Sequence, residues 1–289
     1  MDIIFDMETQ DPDDMFALCF LSSHPAVVLQ GVTVTPGSQA QIGVIRHLLE
    51  CLELPDIPIG SRNPDTEKTA VSKFHYNFLG AISPTQPDCI AHELLADRFI
   101  AYPDAVLITG APLQNLELLL AYHPSITIRR WVGQGGFAGD NVVPKVNRLP
   151  KFDGRITYPT FNFNGAPRAA QAMLNSQRVL SRDIVSKNVC HGIVYDGAFH
   201  KQMETFRETT PGLRMMVAGM EIYLEKHPTG KIFHDPLAAC IAVNRDIASF
   251  REVELYREKG EWGSRLAVGT NTFITVAVDK KLFFQTLVS

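Results

Sequence analysis

The chain has 289 residues, of which 45% are hydrophobic and 20% are charged, and its formal net charge is -4. This length suits one large α/β domain or two small ones with a buried core. A slightly negative chain lacks the basic surface that binds nucleic acid or an anionic membrane, so we expect neither as a partner.

The five cysteines are scattered, and no two of them form a CxxC motif. They are typical of buried thiols in a reducing compartment rather than of a disulfide framework or a zinc site. The apolar run at the amino terminus is too short for a signal peptide, and no stretch reaches the length of a membrane span. We therefore expect a cytoplasmic protein.

Apolar, β-branched runs alternate with helical patterns along the chain. Strands are predicted at 3–5, 29–34, 57–60, 105–110, from 128, at 182–186, 252–257 and 273–278. Helices are predicted from 14, at 39–51, 89–101, 113–121, 167–174, 197–206, 213–225 and from 235, whereas 61–87 is predicted to be mostly irregular. The alternation predicts a single Rossmann-like α/β domain over residues 1–289, with a mainly parallel sheet and helices on both faces.

Five carboxylates follow the first predicted strand within nine residues, from Asp6 to Asp14. Asp11, with Pro12 after it, is a good helix start, so capping explains Asp11 and one of the next two acids. Capping gives no reason for Asp6 and Glu8 at the strand end, where open α/β sheets bind ligands. Because crowded carboxylates repel each other, a hard cation such as Ca²⁺ or Mg²⁺ is expected among them.

A second polar pair, His234-Asp235, opens a predicted helix far along the chain. A metal held by Asp6, Glu8, Asp14 and Asp235 would leave positions for water and for the diol of a sugar. A carboxylate could then activate water while an imidazole protonates a leaving base, which suits cleavage of a glycosidic bond. For His234 alone, helix capping remains the alternative explanation.

Several short motifs, weak individually, follow one another in an order that resembles the inosine–uridine-type nucleoside hydrolases. Asp6 to Asp14 resembles the DxDPGxDD signature of that family, and residues 31–37 resemble its second strand and Gly-Asn turn. Further similarity is found at Thr109-Gly110 with Pro112-Leu113, Gly135-Gly136, Phe161-Asn162, Val189-Cys190-His191 and His234-Asp235-Pro236-Leu237-Ala238. The resemblance covers nearly the whole chain and is carried by the order and spacing of these motifs.

The resemblance implies a role for each matching residue. Asp6, Asp14, Asp235 and the Thr109 main-chain carbonyl would hold or support one Ca²⁺ per subunit, and Asp13, Asn162 and Asp235 would bind the ribose. Glu8 would bind the metal and activate water, and His234 would protonate the leaving base. The family also implies a homodimer or homotetramer that acts in nucleoside salvage.

The chain departs from the family pattern at several positions. The turn after Glu8 is one residue longer than the signature, and Thr160 replaces a glutamate that grips the ribose 5′-hydroxyl. Loss of this carboxylate implies either a weaker grip on the ribose or a substrate whose 5′ position is altered. A phosphate at that position, near Arg129, Arg130, Lys145 or Arg148, is one hypothesis for the second case. The open alternatives are therefore a hydrolase of a modified nucleoside or a nucleotide, and a non-catalytic ribose or nucleoside binder. Residues that could stack on a base are His75, Tyr76, Phe78, Tyr223 and Phe233.

Overall fold

The computed structural model describes residues 1–289, and its central feature is a sheet of eleven strands. In chain order the strands are β1 (Asp2–Met7), β2 (Val28–Val34), β3 (Ile59–Ser61), β4 (Cys89–Ile90), β5 (Val106–Thr109), β6 (Arg130–Gln134), β7 (Thr157–Tyr158), β8 (Arg182–Val185), β9 (Val194–Tyr195), β10 (Lys231–Ile232), β11 (Ala248–Glu258), β12 (Glu261–Leu266) and β13 (Thr272–Val278). Strands β9 and β10 form a separate antiparallel pair.

The central sheet has the strand order β4-β3-β2-β1-β5-β6-β8-β13-β11-β12-β7. The strands from β4 to β13 in this order are parallel, and β11, β12 and β7 extend the sheet in an antiparallel manner. From β1 the chain builds outward to β4 and then returns to β5 on the other side of β1. The carboxyl ends of β1 and β5 therefore form a topological switch point, which is where open α/β sheets leave a crevice for ligands.

Twelve α-helices connect and cover the strands. They are α1 (Asp13–Ser23), α2 (Gln39–Cys51), α3 (Lys73–Leu79), α4 (Ala91–Ala101), α5 (Gln114–Tyr122), α6 (Phe161–Gly165), α7 (Pro167–Asn175), α8 (Lys187–Cys190), α9 (Gly197–Met203), α10 (Pro211–Lys226), α11 (Asp235–Val243) and α12 (Lys280–Leu287). None of them combines the length and the apolar character needed to cross a lipid bilayer.

The two faces of the sheet bury two separate hydrophobic cores. Side chains alternate along β1, so Ile3 and Phe5 join the core on one face while Ile4 joins the core on the other. Helix α1 packs against α10 and α11 on the first face, whereas α4, α5 and α7 pack against one another on the second. The packing of α1 on α11 is important for function, because it brings the amino-terminal acids next to the His234-Asp235 segment.

The α/β class with a mainly parallel sheet and helices on both faces is confirmed. The prediction for 61–87 was wrong in part, because 73–79 forms the helix α3. That helix packs aromatic side chains against the first core. It was not predicted because it is short and lies within a polar stretch of the sequence. The strand predicted from 128 begins at 130, the helix predicted at 89 begins at 91 after β4, and β12 was not predicted.

Candidate active site

A cavity of about 340 Å³ opens at the carboxyl end of the parallel sheet. Residues that follow β1, β5, β6 and β8 line it, in agreement with its position at the switch point. Of the eight predicted site residues, six line this cavity: Glu8, Asp13, Asp14, Asn162, His234 and Asp235. Asp6 and Thr109 are fully buried next to each other at the ends of β1 and β5, where they are register partners. The structure therefore brings all eight residues into one region.

The Asp13 carboxylate joins the opening turn to the His234-Asp235 segment. Its Oδ2 accepts hydrogen bonds from the main-chain N–H groups of His234 at 2.8 Å and Asp235 at 3.1 Å. The same oxygen lies 3.3 Å from His234 Nδ1. Asp13 thus binds the amino terminus of α11 from a distant part of the chain, where free N–H groups and the helix dipole favour an anion.

Lys231 completes this link, although the sequence analysis did not identify it. Its Nζ lies 2.7 Å from Asp11 Oδ1 and 3.8 Å from Asp13 Oδ1, and only 6% of its side chain is exposed. Burial alone would raise the pKa of the Asp13 carboxyl, but Lys231 and the His234 hydrogen bond lower it below its usual value. Lys231 does not line the cavity, so it does not fill the space between Asp14 and Asp235.

Asp6 is held beneath the cavity by two side chains from neighbouring elements. Its Oδ1 accepts hydrogen bonds from Thr33 Oγ1 at 2.6 Å and Asn115 Nδ2 at 2.7 Å, while Oδ2 has no partner. Burial raises the pKa of this carboxyl to about 7, against the effect of both hydrogen bonds. The side chain is therefore fixed in position with one oxygen unsatisfied.

Asp14 and Asp235 face each other across Gly110, the residue after β5. A Cβ atom at Gly110 would collide with the Oδ1 atoms of both carboxylates, so only glycine fits there. Burial raises the pKa of both carboxyls well above the usual value, and neighbouring carboxylates raise them further. Two buried acids this close are not both ionised without a positive charge nearby.

Glu8 is the third carboxylate of this acidic group and lies close to Asp14. Its Oε2 accepts a hydrogen bond from the Gln10 main-chain N–H at 2.6 Å, and its own main-chain N–H donates to Asp14 Oδ1 at 3.3 Å. Burial, with a smaller effect from Asp11, raises the pKa of the Glu8 carboxyl to about 7. The longer turn after Glu8 therefore still presents its carboxylate to the cavity.

The donor set fits a hard divalent cation. Buried oxygens without any hydrogen-bond partner remain on Asp6, Asp13 and Asp235, and such oxygens are costly unless something binds them. No three carboxylate, imidazole or thiol side chains converge into a closed ligand set. Ca²⁺ and Mg²⁺ also accept main-chain carbonyls and waters as ligands. Two carboxylates with the Thr109 carbonyl, which adjoins Gly110, are therefore enough to begin a site.

His234 points one ring nitrogen at Asp13 and is only partly covered, with 27% of its side chain exposed to the cavity side. Its Nε2 makes no hydrogen bond within the protein, so this atom is free to meet a ligand. The His191 ring packs edge-on against it, with ring centroids 5.5 Å apart. Burial and the nearby cations lower the pKa of His191 to about 3, so His191 is neutral.

Asn162 lies across the cavity from the acids. Its Nδ2 donates to the side-chain Oε1 of Gln134 at 2.8 Å and to the main-chain carbonyl of the same residue at 3.2 Å. Gln134, at the carboxyl end of β6, also lines the cavity. Gln134 was not predicted as a site residue. The rule that ligands bind at the carboxyl ends of parallel strands, here called the strand-end rule, applies to Gln134 as it does to Glu8.

Comparison with known proteins identifies the family. Residues 3–285 match the family described as inosine-uridine preferring nucleoside hydrolase. The chain belongs to this family. Its members are N-ribohydrolases that act on N-glycosyl bonds, so the predicted enzyme class and the predicted resemblance are confirmed.

Individual relatives are distant. A protein of Aquifex aeolicus (strain VF5) described only as uncharacterized is 29% identical over 287 residues, which span 96% of this chain and 94% of that protein. The pyrimidine-specific ribonucleoside hydrolase RihA of Shewanella baltica (strain OS155) is 31% identical over 142 residues, 44% of this chain and 45% of that protein.

Solved structures share the fold at low identity. The plant nucleoside hydrolase PpNRh1 superimposes with a TM-score of 0.74 at 18% identity, covering 99% of this chain and 97% of that chain. A purine-preferring ribonucleoside hydrolase from Gardnerella vaginalis gives a TM-score of 0.73 at 18% identity, covering 100% and 97% of the two chains. This nucleoside hydrolase is therefore a divergent family member with the family's fold.

The residues expected to stack on a base do not line the cavity. His75 and Phe233 are fully buried, and Phe74, Phe78 and Tyr223 pack among themselves at the edge of the first core. Tyr76, partly exposed, also lies outside the cavity lining. The one aromatic side chain at the cavity is Phe161, which is 63% exposed.

The cations expected near the 5′ position also lie elsewhere. Arg129 pairs with the exposed Asp104, Arg130 with the buried Asp183, and Arg148 with Asp140. None of these arginines lines the cavity, and neither does Lys145. The strand-end rule would have indicated Lys187 instead, since it follows β8 and does line the cavity.

The role of Asp13 predicts a large loss of stability when its carboxylate is removed. Asp13→Ala leaves the main-chain N–H groups of His234 and Asp235 without their acceptor and takes one of two carboxylates from the buried Lys231, so we expect the free energy of unfolding to fall by about 3–5 kcal/mol. Urea denaturation measures this change. As a matched control, Glu254→Ala removes a solvent-screened partner of Arg265 and should leave stability unchanged. Equal midpoints for the two variants would contradict the linking role.

Proposed function

We propose that this nucleoside hydrolase cleaves the N-glycosidic bond of a ribonucleoside with the help of one bound divalent cation, Ca²⁺ by family resemblance, and releases free base and ribose. One observation supports the proposal above all. The acidic group, with buried oxygens that have no partner, and His234, with a free ring nitrogen, face the same 340 Å³ cavity. Ligand pockets for small molecules have volumes of roughly 300–1,000 Å³.

Asp14, Asp235 and the Thr109 carbonyl would hold the cation, with Asp6 beneath them and Glu8 beside them. When bound, the cation supplies charge that lowers the pKa of a neighbouring water and grips the vicinal hydroxyls of ribose. Asp13 and Asn162, which line the cavity, would orient the sugar hydroxyls. Asp13 has only its Oδ1 available for this, because Oδ2 is used by α11.

The proposed reaction uses two proton-transfer groups, Glu8 and His234. Glu8 takes a proton from water as the water oxygen bonds to the anomeric carbon. The bond from that carbon to the base nitrogen breaks, and His234, whose Nδ1 faces Asp13, delivers a proton from Nε2 to the departing base. The carboxylates stabilise the positive charge that develops on the sugar ring in the transition state.

All five cysteines are free, which agrees with a reducing, cytoplasmic location. The prediction that all five are buried was wrong for Cys51, which is exposed, and for Cys89, which is half-buried. The family match from 3 to 285 supports a single nucleoside hydrolase-like domain. The homodimer or homotetramer and the role in nucleoside salvage stay predictions.

The cation should stabilise the protein in a pH-dependent way. Burial raises the pKa of the Asp6 and Glu8 carboxyls to about 7. Their contribution to the free energy of unfolding is therefore fully present below the pKa that they have in the unfolded chain. It is lost as the pH rises through about 7. A cation binds the ionised carboxylates and offsets this loss. At a calcium concentration 100 times Kd the stabilisation is about 2.7 kcal/mol.

We therefore expect calcium, compared with chelator, to raise Tm more at pH 8 than at pH 5 in thermal unfolding experiments. The variant Asp14→Asn/Asp235→Asn should lose this gain. The control Asp104→Asn, which changes an exposed partner of Arg129, should keep it. A calcium effect that survives in the Asp14→Asn/Asp235→Asn variant would place the ion elsewhere.

Release of free base from a panel of nucleosides tests the activity itself. Glu8→Gln and His234→Ala each remove a proton-transfer group, so each should lower kcat by about 10²- to 10⁴-fold, the latter on purine nucleosides. Glu254→Gln and His227→Ala, at exposed positions, are the matched controls and should retain activity. Binding of nucleosides without any release of base would instead support the non-catalytic alternative.

A further inference from the structure

A group of basic side chains lies beside the cavity. We call Lys151, Lys187 and His191 the basic rim. Lys151 Nζ lies 3.2 Å from His191 Nδ1, and His191 packs edge-on against Phe152 with centroids 5.1 Å apart. Lys187 Nζ lies 4.8 Å from the centre of the Tyr158 ring, which in turn packs on Phe152. These contacts join the three residues into one patch, and Lys187 reaches the cavity lining.

The positive charge of this patch has no partner in the protein. Neither Lys151 nor Lys187 forms an ion pair with any carboxylate. Lys187 Nζ makes one hydrogen bond, to the Pro159 carbonyl at 3.0 Å, and an ammonium group has two further donors. Lys187 is also the only lysine or arginine among the thirteen residues that line the cavity.

An unpaired hydroxyl lies next to this charge. Thr160 is 3% exposed, lines the cavity and follows Pro159, the partner of Lys187. Its Oγ1 is buried and has no hydrogen-bond partner in the protein. A buried hydroxyl without a partner is unusual in a folded chain and marks a position where a ligand completes the bonding.

From this geometry we infer that the basic rim and Thr160 bind a phosphate on the 5′ carbon of the ribose, so that the preferred substrates are ribonucleoside 5′-monophosphates. The inference rests on the proposed ribohydrolase function. A phosphate monoester carries between one and two negative charges at neutral pH, which matches two lysines better than a single carboxylate does. The carboxylates in the cavity lining would repel a phosphate, and Lys187 is the one lysine or arginine in that lining, so we assign the phosphate to the basic rim.

The cavity geometry agrees with this placement. The diol of a ribonucleoside lies on one face of the ring, while the base and the 5′ carbon lie on the other. With the diol at Asp14 and Asp235, the base and the 5′ group both face the side that carries His234. The His191 ring of the basic rim lies 5.5 Å from the ring of His234, the proposed leaving-group acid. A 5′-phosphate beside the departing base therefore meets Lys187 and Thr160.

The test compares kcat/KM for inosine with inosine 5′-monophosphate, and for uridine with uridine 5′-monophosphate, on the full chain with calcium present. Orotidine, which carries its carboxylate on the base, is the third arm. We expect the wild type to prefer the monophosphates. Lys187→Met and Thr160→Val should each reduce that preference, Lys187→Met by about 10- to 100-fold, because it removes a charge-assisted hydrogen bond. The control Lys145→Met, at an exposed position outside the rim, should leave the preference unchanged.

A binding measurement separates the two proposals. Ribose 5-phosphate should bind the protein more tightly than ribose by calorimetry, and Lys187→Met, checked for folding by thermal unfolding, should remove the difference. Equal or faster hydrolysis of the nucleosides, or a preference for orotidine, would overturn the phosphate inference while the ribohydrolase function stands. Tighter binding of ribose 5-phosphate without hydrolysis of any substrate would overturn the ribohydrolase function, and with it the substrate preference, while the phosphate-binding role of the basic rim stands.

Discussion

The contact between the Asp13 carboxylate and the two main-chain N–H groups at the start of α11 determines the arrangement of the site. It connects residues separated by more than two hundred positions in the chain, at 2.8 and 3.1 Å. Because Asp13 and Asp14 are adjacent in α1, and His234 and Asp235 are adjacent at α11, fixing one pair of contacts places Asp14 opposite Asp235 and turns His234 towards the cavity. Lys231 pairs with the Asp11 and Asp13 carboxylates and forms no ion pair with Asp14 or Asp235. The divalent ion that we propose supplies the missing charge.

Groups of opposite charge line the cavity. Buried carboxylates with raised pKa values and unpaired oxygens favour a cation and, with it, a sugar diol. Lys187, which has no carboxylate partner, and the unpaired Thr160 hydroxyl favour an anion. A ribonucleotide carries a diol and a phosphate on one small framework, so a single ligand can satisfy both groups. His234 lines the same cavity, where the bond to the base would break.

The sequence was sufficient for much of this account. The alternating elements indicated the parallel sheet. The excess of acids after β1 indicated the functional turn, because helix capping does not explain Asp6 and Glu8.

Residues that act through tertiary contacts were not predictable in the same way. Nothing near Lys231 in the sequence indicates a buried ion pair with Asp11, since the partner lies in a distant turn. The arginines expected near the 5′ position pair with acids on other elements, and the aromatic residues of α3 belong to the core. Lys187 and Gln134, by contrast, follow strand ends and could have been found from their positions alone.

The most direct test of the central claim is a crystal structure of the protein with manganese, a divalent ion visible by anomalous scattering, and ribose. The account predicts one anomalous peak between Asp14, Asp235 and the Thr109 carbonyl, with the ribose diol against it and the Asp13 contacts to α11 unchanged. A peak elsewhere, or ribose bound with its diol away from the acids, would contradict it.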